Sequence, residues 1–165
     1  MNRHRRWIQL CEALGATGDI ESSYRRIAAL YRTPARAYHN RLHVEHCLKE
    51  YDAVASLAVN PAAVEAAIWF HDAVYDSKAT DNEERSASVA VAMLTAMGVR
   101  SKVHAVVRKL ILHTKHTGIP NTIDGKIMVD VDLAILGSSP AVFARYERGI
   151  RKEYGWVDES VFWPK

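Results

Sequence analysis

Ala67-Ile68-Trp69-Phe70-His71-Asp72-Ala73-Val74-Tyr75 sets a histidine and an aspartate side by side in a run that is otherwise apolar. Burying an ionised carboxylate without a partner is costly, so something must compensate it. A basic side chain, a dense set of hydrogen bonds, or a metal ion that takes both groups would each do so. Asn60-Pro61 upstream is an N-cap followed by a first-turn proline, which puts the run at the end of a helix predicted to contain His71 and Asp72. His71 follows Ile68 by three residues and Val64 by seven, which places it on the inward face of that helix.

The neighbouring segments also read with helical period. A helix is expected over Trp7 to Leu14, stopping at Gly15, and a second, capped by Asp19, carries Tyr24, Ile27, Ala28 and Tyr31. Val44, Cys47, Leu48, Tyr51, Val54, Ala55 and Ala58 form the stripe of a long helix. Further helices are expected from Asp81 or Asn82 to Gly98, from a Ser101 cap to near Gly118, and from Pro140 to about Tyr154. Lys126 to Leu136 is ambiguous. Ile127, Val129, Val131, Leu133 and Ile135 alternate as in a strand, but Val129, Asp132, Leu133 and Leu136 share a helical face, and no partner strand exists, so a helix is expected. The fold class is all-α, a single domain of about seven helices.

Length and composition fit this reading. At 165 residues one domain is expected, and the chain is long enough to bury a core without staples. The formal charge of +3 suits an anionic small molecule and makes nucleic acid an unlikely partner, since no basic stripe is clustered. Cys11 and Cys47 match no finger or CxxC pattern and read as reduced core thiols. The basic start has no h-region after it, and no apolar run is long enough for a membrane span, which points to a soluble, cytoplasmic protein.

Eight histidines compete for a role. At 100° per residue His43 lies about 80° from the centre of its helix's apolar stripe, at the edge of the buried face, whereas His46 lies about 140° away and is expected in solvent. His39 stands one turn before His43. Asp130 and Asp132 repeat the anomaly of carboxylates in an apolar segment. His43, His71, Asp72 and one of these two aspartates would supply two nitrogens and two oxygens, a set suited to Mn, Fe, Zn, Co or Ni over Ca or Mg alone.

These residues resemble a known family. Tyr38-His39-Asn40-x-x-His43, then His71-Asp72, then Asp132-Leu133, resemble the HD-domain metal-dependent phosphohydrolases, and the first piece is similar to a signature of the cyclic-nucleotide phosphodiesterases. Phe70-His71-Asp72-x-Val74-Tyr75-Asp76, Asn82-Glu83-x-x-Ser86-Ala87, Thr114-Lys115-His116 and Asp130-x-Asp132-Leu133-x-Ile135-Leu136-Gly137 resemble a bacterial subgroup described as predicted metal-dependent HD phosphohydrolases. The resemblance covers about residues 30–155. It implies an HD-type helical bundle with His43, His71, Asp72 and Asp132 as metal ligands, and it alone prefers Asp132 to Asp130. It implies that His39 donates a proton to the leaving oxygen. His116, Lys115, Arg36 and Glu83 are candidates for a second metal or for substrate contact. The resemblance also implies a further C-terminal helical segment where this chain stops at Phe162-Trp163-Pro164-Lys165, and Val161, Phe162 and Trp163 are apolar at that end, so truncation or packing of the end into a homodimer is expected.

The implied activity is hydrolysis of a small phosphoester, a nucleotide first of all, by metal-activated water attack, with one or two divalent transition metal ions as cofactor (Mg also being compatible). Two alternatives remain: a di-iron HD-type oxygenase, in which His113 and His116 would add ligands, and a non-catalytic sensor that binds metal or nucleotide. The run Arg145, Arg148, Arg151, Lys152 with Glu147 and Glu153 reads as a solvated helix face.

Overall fold

The computed structural model describes residues 2–162, and among these the chain forms nine helices and no strand. They are α1 (Arg3–Ala13), α2 (Ile20–Leu30), α3 (Arg41–Val54), α4 (Pro61–Phe70), α5 (Asn82–Ala96), α6 (Ser101–His113), α7 (Ile123–Leu133), α8 (Pro140–Glu153) and α9 (Glu159–Phe162). Short 3-10 turns follow α3 and α7. The all-α expectation holds, with two helices more than the seven expected.

Helix α4 is the axis of the bundle. Val64, Ala66, Ala67, Ile68 and Phe70 are fully buried, and α1, α3, α5, α6 and α7 all pack against it. Apart from Glu65, which pairs with Arg6, α4 is apolar from Ala62 to Phe70 and must be enclosed by its neighbours, which is why the rest of the chain wraps it. Trp7 of α1 meets Trp69 and Phe70 edge-on, with centroids 5.3 and 5.8 Å away, and its indole N–H donates to Ser23 of α2 at 2.9 Å.

Most boundaries follow local signals. α1 begins earlier than expected because Asn2 caps it, accepting from the His4 N–H, and because Arg6 pairs with Asp52 and Glu65. It ends at Ala13, capped by Leu14, and the φ of +70° at Gly15 lets the Ala16 N–H return to the Cys11 carbonyl and the Gly15 N–H to that of Glu12. Ser101 does not cap α6. It is the first helical residue, behind Arg100.

The ambiguous 126–136 segment is helical over most of its length, but its buried face differs from the expected one. Ile127, Met128, Val131 and Ile135 are buried with Asp124, whereas Leu133 and Leu136 are 38% and 53% exposed. Asp124 has a long-range role. Its carboxylate accepts from the Val59 and Asn60 backbone N–H groups at 2.7 and 3.1 Å and from the Asn60 side chain at 2.9 Å, placing negative charge at the N-terminus of α4.

No single helix among the described residues is long and apolar enough to cross a membrane. The expected irregular tail contains the short α9, on which Val161 is 70% exposed and Phe162 lies under the Arg151 guanidinium at 4.8 Å. Trp163 lies outside the described residues.

Candidate metal centre

The decisive departure from expectation is where α4 stops. It ends at Phe70, so His71 is its C-terminal cap and Asp72 lies in the turn beyond it, not inside a helix. The last carbonyls of a helix have no partner within it. Here two of them are used to build the site. The His71 Nδ1–H donates to the Ile68 carbonyl at 2.9 Å, and the buried Tyr31 hydroxyl donates to that of Trp69 at 2.9 Å. The first bond fixes the His71 ring and turns Nε2 inward, as a second-layer carbonyl does for a ligating histidine.

The segment after the turn is held from both sides. Arg36 donates to the carbonyls of Asp72 at 2.6 Å, Ala73 at 3.1 Å and His39 at 3.3 Å, with its guanidinium over the rings of Tyr31 and Tyr75. Arg36 is therefore a brace between the 36–40 loop and the 71–73 turn, and its hydrogen bonds are committed to the backbone and not to a phosphate. From α5, Ser86 donates to the Val74 carbonyl and accepts from the Val74 N–H, while Asn82 does the same for Asp76. Their spacing of four residues puts both on one helix face, which accounts for the Asn82…Ser86 pattern.

Four side chains from three places then converge. His43 on α3 and His71 approach with their Nε2 atoms 3.0 Å apart. Asp72 Oδ2 lies 3.1 Å from His71 Nε2 and 3.4 Å from His43 Nε2. Asp132 Oδ1 on α7 lies 3.2 Å from His43 Nε2 and 3.4 Å from His71 Nε2. Donor atoms bound at 2.0–2.2 Å to one ion in tetrahedral or octahedral array sit about 2.8–3.6 Å apart, and these spacings fall inside that range. Asp130 is exposed and takes no part.

The donor chemistry passes the same test. Asp72 Oδ2 is buried and has no hydrogen-bond partner. With Nδ1–H committed to Ile68, a neutral His71 presents a lone pair to that oxygen, so the contact repels unless a proton or a cation lies between them. Burial disfavours the imidazolium of His71, but the Asp72 and Asp132 carboxylates outweigh it and hold its pKa well above the usual histidine range. Burial likewise disfavours the charged Asp72 and Asp132, yet His71, His43 and, for Asp132, His116 pull both well below the usual carboxylate range. The cluster wants a positive charge at its centre.

Cys47 enters where sequence reading saw only a core thiol. Its Sγ lies 3.7 Å from both ring nitrogens of His43, and His43, Cys47, His71 and Asp132 form a buried group with one potential ligand atom each, all within 4.8 Å. This group can hold a metal ion. Burial pushes the thiol up well above its ordinary pKa, so Asp72, closer and already ionised, is the better fourth donor.

The cluster opens on a cavity of about 680 Å³. Asp72, Asp132, His39, Glu83, Lys115 and His116 line one part of it, and Tyr146, Ile150, Tyr154 and Phe162 another. His116 Nε2 is 3.1 Å from Asp132 Oδ2, the oxygen turned away from the cluster, so His116 orients the Asp132 carboxylate. That bond to Asp132 raises the His116 pKa above the usual histidine range. Its backbone has φ +52°, the left-handed region that costs about 1 kcal/mol or more without glycine. Lys115 donates to the Thr80 carbonyl and pairs with Glu84 at the cavity rim.

His39 adjoins the cluster, its ring stacked on Tyr75 at 3.9 Å. Its partner is Glu153, whose side chain is 1% exposed and not on a solvated face as expected. The Glu153 carboxylate accepts from the Tyr38 and His39 backbone N–H groups at 2.7 and 3.0 Å and lies 2.6 Å from His39 Nδ1. Burial works against the charged Glu153, but His39 outweighs it and lowers its pKa. Arg145, Arg148 and Lys152 do face solvent. His113 packs beside Gly125, away from the cavity.

Compared with known proteins, the chain matches no family model, no curated protein and no solved structure.

Proposed function

We propose that this chain is an HD-type metal-dependent phosphohydrolase, acting on a small phosphoester of the nucleotide class. The observation that carries the reading is the buried, unpartnered Asp72 Oδ2 set among His43 Nε2, His71 Nε2 and Asp132 at metal-ligand spacing, at the mouth of a cavity that His39 also lines. His43, His71, Asp72 and Asp132 would hold a divalent transition metal, which supplies Lewis acidity and lowers the pKa of water near the phosphoryl group.

The chain's own residues do the rest. Glu153 binds His39 through Nδ1 and leaves Nε2 for the cavity, where a proton held on it can pass to the departing oxygen. Lys115, paired with Glu84 and bonded to the Thr80 carbonyl at the rim, keeps one ammonium N–H for a phosphate oxygen. The aromatic wall of Tyr146 and Tyr154 accommodates the apolar part of an ester. The oxygenase alternative needs His113, whose ring lies beside Gly125 and outside the cavity lining, so hydrolysis is favoured.

The test is a panel of phosphoesters assayed with Mn, Co, Ni, Mg and Fe. Turnover with at least one metal that is lost in Asp72→Ala supports the reading. No turnover above that of Asp72→Ala with any metal defeats it.

A further inference from the structure

Helix α7 packs its inner face on α3, α4 and α6. Its outer face is apolar at both ends and charged in the middle. Ile123 and Leu133 are 51% and 38% exposed there, and Lys126 and Asp130 between them are exposed as well. At 100° per residue these four side chains fall within about 80° of arc, so they make one strip. A groove of about 560 Å³ runs beside it, lined by Lys126, Val129, Asp130 and Leu133 with Ile119 from the preceding loop.

A lone apolar side chain in water is ordinary, whereas a contiguous group marks an interaction surface. Ile119 is 93% exposed, Leu136 just beyond α7 is 53% exposed, and Val59, whose N–H donates to Asp124 at the start of α7, is 74% exposed. With Ile123 and Leu133 they are five of the nine large apolar side chains exposed among the described residues. All five stand on or beside this one helix, so the face needs a cover.

The order of residues along the strip selects the cover. Ile123, Lys126, Asp130 and Leu133 are spaced three, four and three, a pattern that reads the same from either end about position 128. A second α7 laid antiparallel across a two-fold axis at that position sets Ile123 against the partner's Leu133 and Lys126 against the partner's Asp130, each contact occurring twice. A parallel copy would set like charges together. Lys126 and Asp130 are one turn apart, yet unlike Arg41–Glu45 and Asp81–Arg85 at the same spacing they form no ion pair in their own chain among the described residues. Both charges are therefore free to pair across the axis. We propose that the outer face of α7 is a homodimer interface, covered by the same face of a second copy of this chain in the antiparallel register that joins Lys126 to the partner's Asp130.

The experiment is sedimentation velocity on the full-length chain across the micromolar range, with circular dichroism to confirm folding. Wild type sediments as a dimer. Ile123→Glu, in the first turn where a carboxylate suits the helix, keeps the helical signal and sediments as a monomer. Lys126→Asp and Asp130→Lys, both at exposed positions, each set like charges together twice and weaken the dimer about tenfold. The two substitutions combined exchange the signs and restore the dimer to within about threefold of wild type. The proposal is overturned if wild type is monomeric throughout, if folded Ile123→Glu dimerises as wild type does, or if the combined variant associates no more tightly than the single ones. Neither metal nor turnover enters the readout, so a failure to hydrolyse phosphoesters leaves it untouched.

Discussion

Glu153 and His39 stand 114 positions apart in sequence and meet at 2.6 Å, the carboxylate of one on Nδ1 of the other. Glu153 is the last residue of α8, and through this contact α8 sets both the shape of the 38–39 loop and the direction of the His39 ring. Glu153→Gln keeps an acceptor for the backbone N–H groups but removes the charge opposite Nδ1. Activity on a phosphoester substrate is expected to fall by about 10- to 100-fold with metal content unchanged. Parallel kinetics and elemental analysis check this. A variant that loses metal would place Glu153 in the cluster instead.

Arg36 holds three backbone carbonyls, and no other side chain replaces it at Asp72 and Ala73. Arg36→Met keeps the stem and orphans those acceptors. A destabilisation of about 2–4 kcal/mol is expected in urea unfolding. If Arg36 instead gripped substrate phosphate, KM would rise with stability unchanged.

His116 pairs a strained backbone with a functional contact. His116→Gly relieves the strain and removes the Asp132 partner. The metal-free variant is expected to be at least as stable as wild type, while its metal affinity drops about tenfold or more. Thermal unfolding with chelator present, set beside a metal titration, separates the two effects. Reduced stability together with unchanged affinity would show that His116 serves packing alone.

The metal-free cluster has a definite pH dependence. The raised pKa of His71 contributes stability that is fully present below the ordinary histidine value and lost as pH rises through the elevated folded value. The lowered pKa values of Asp72 and Asp132 contribute stability that is present above the ordinary carboxylate range and lost as pH falls through their folded values. Chelator-treated protein should therefore be most stable between the ordinary carboxylate range and the ordinary histidine value. Metal must displace the His71 proton, so affinity should strengthen as pH rises across neutrality, with protons released on binding. Calorimetric titration in two buffers of different ionisation heat reads that release. An affinity independent of pH would exclude His71 as a ligand.

The sequence was most informative where structure is local. Asn60-Pro61 marked the start of α4, and Gly15 marked the stop of α1, where the structure shows a positive φ. It was least informative where an end is made by distant residues. Nothing near Phe70 says that α4 stops there, because Tyr31 and Arg36 provide the partners from the other end of the domain. Glu153 was lost in a charged run, although it follows Tyr146 by seven residues and Ile150 by three, on the stripe that faces the cavity. Asp132 was preferred to Asp130 only by resemblance. Helical angle carries a modest signal, since from the centre of the Ile127, Met128, Val131 and Ile135 face Asp132 lies about 85° and Asp130 about 115°. Cys47 fell on the His43 face by its spacing of four, but a buried thiol in a helix stripe gives no sign of its neighbours.

The account rests on the convergence of His43, His71, Asp72 and Asp132 on one cation. Its most direct test is the metal stoichiometry and affinity of the wild type, Asp132→Ala and Asp130→Ala, with Mn, Fe, Co, Ni and Zn. Wild type and Asp130→Ala are expected to bind the same metal with equal affinity, and Asp132→Ala to bind it about 100-fold more weakly or not at all. Equal binding by Asp132→Ala and wild type, or no binding by wild type of any of these metals, would contradict the account.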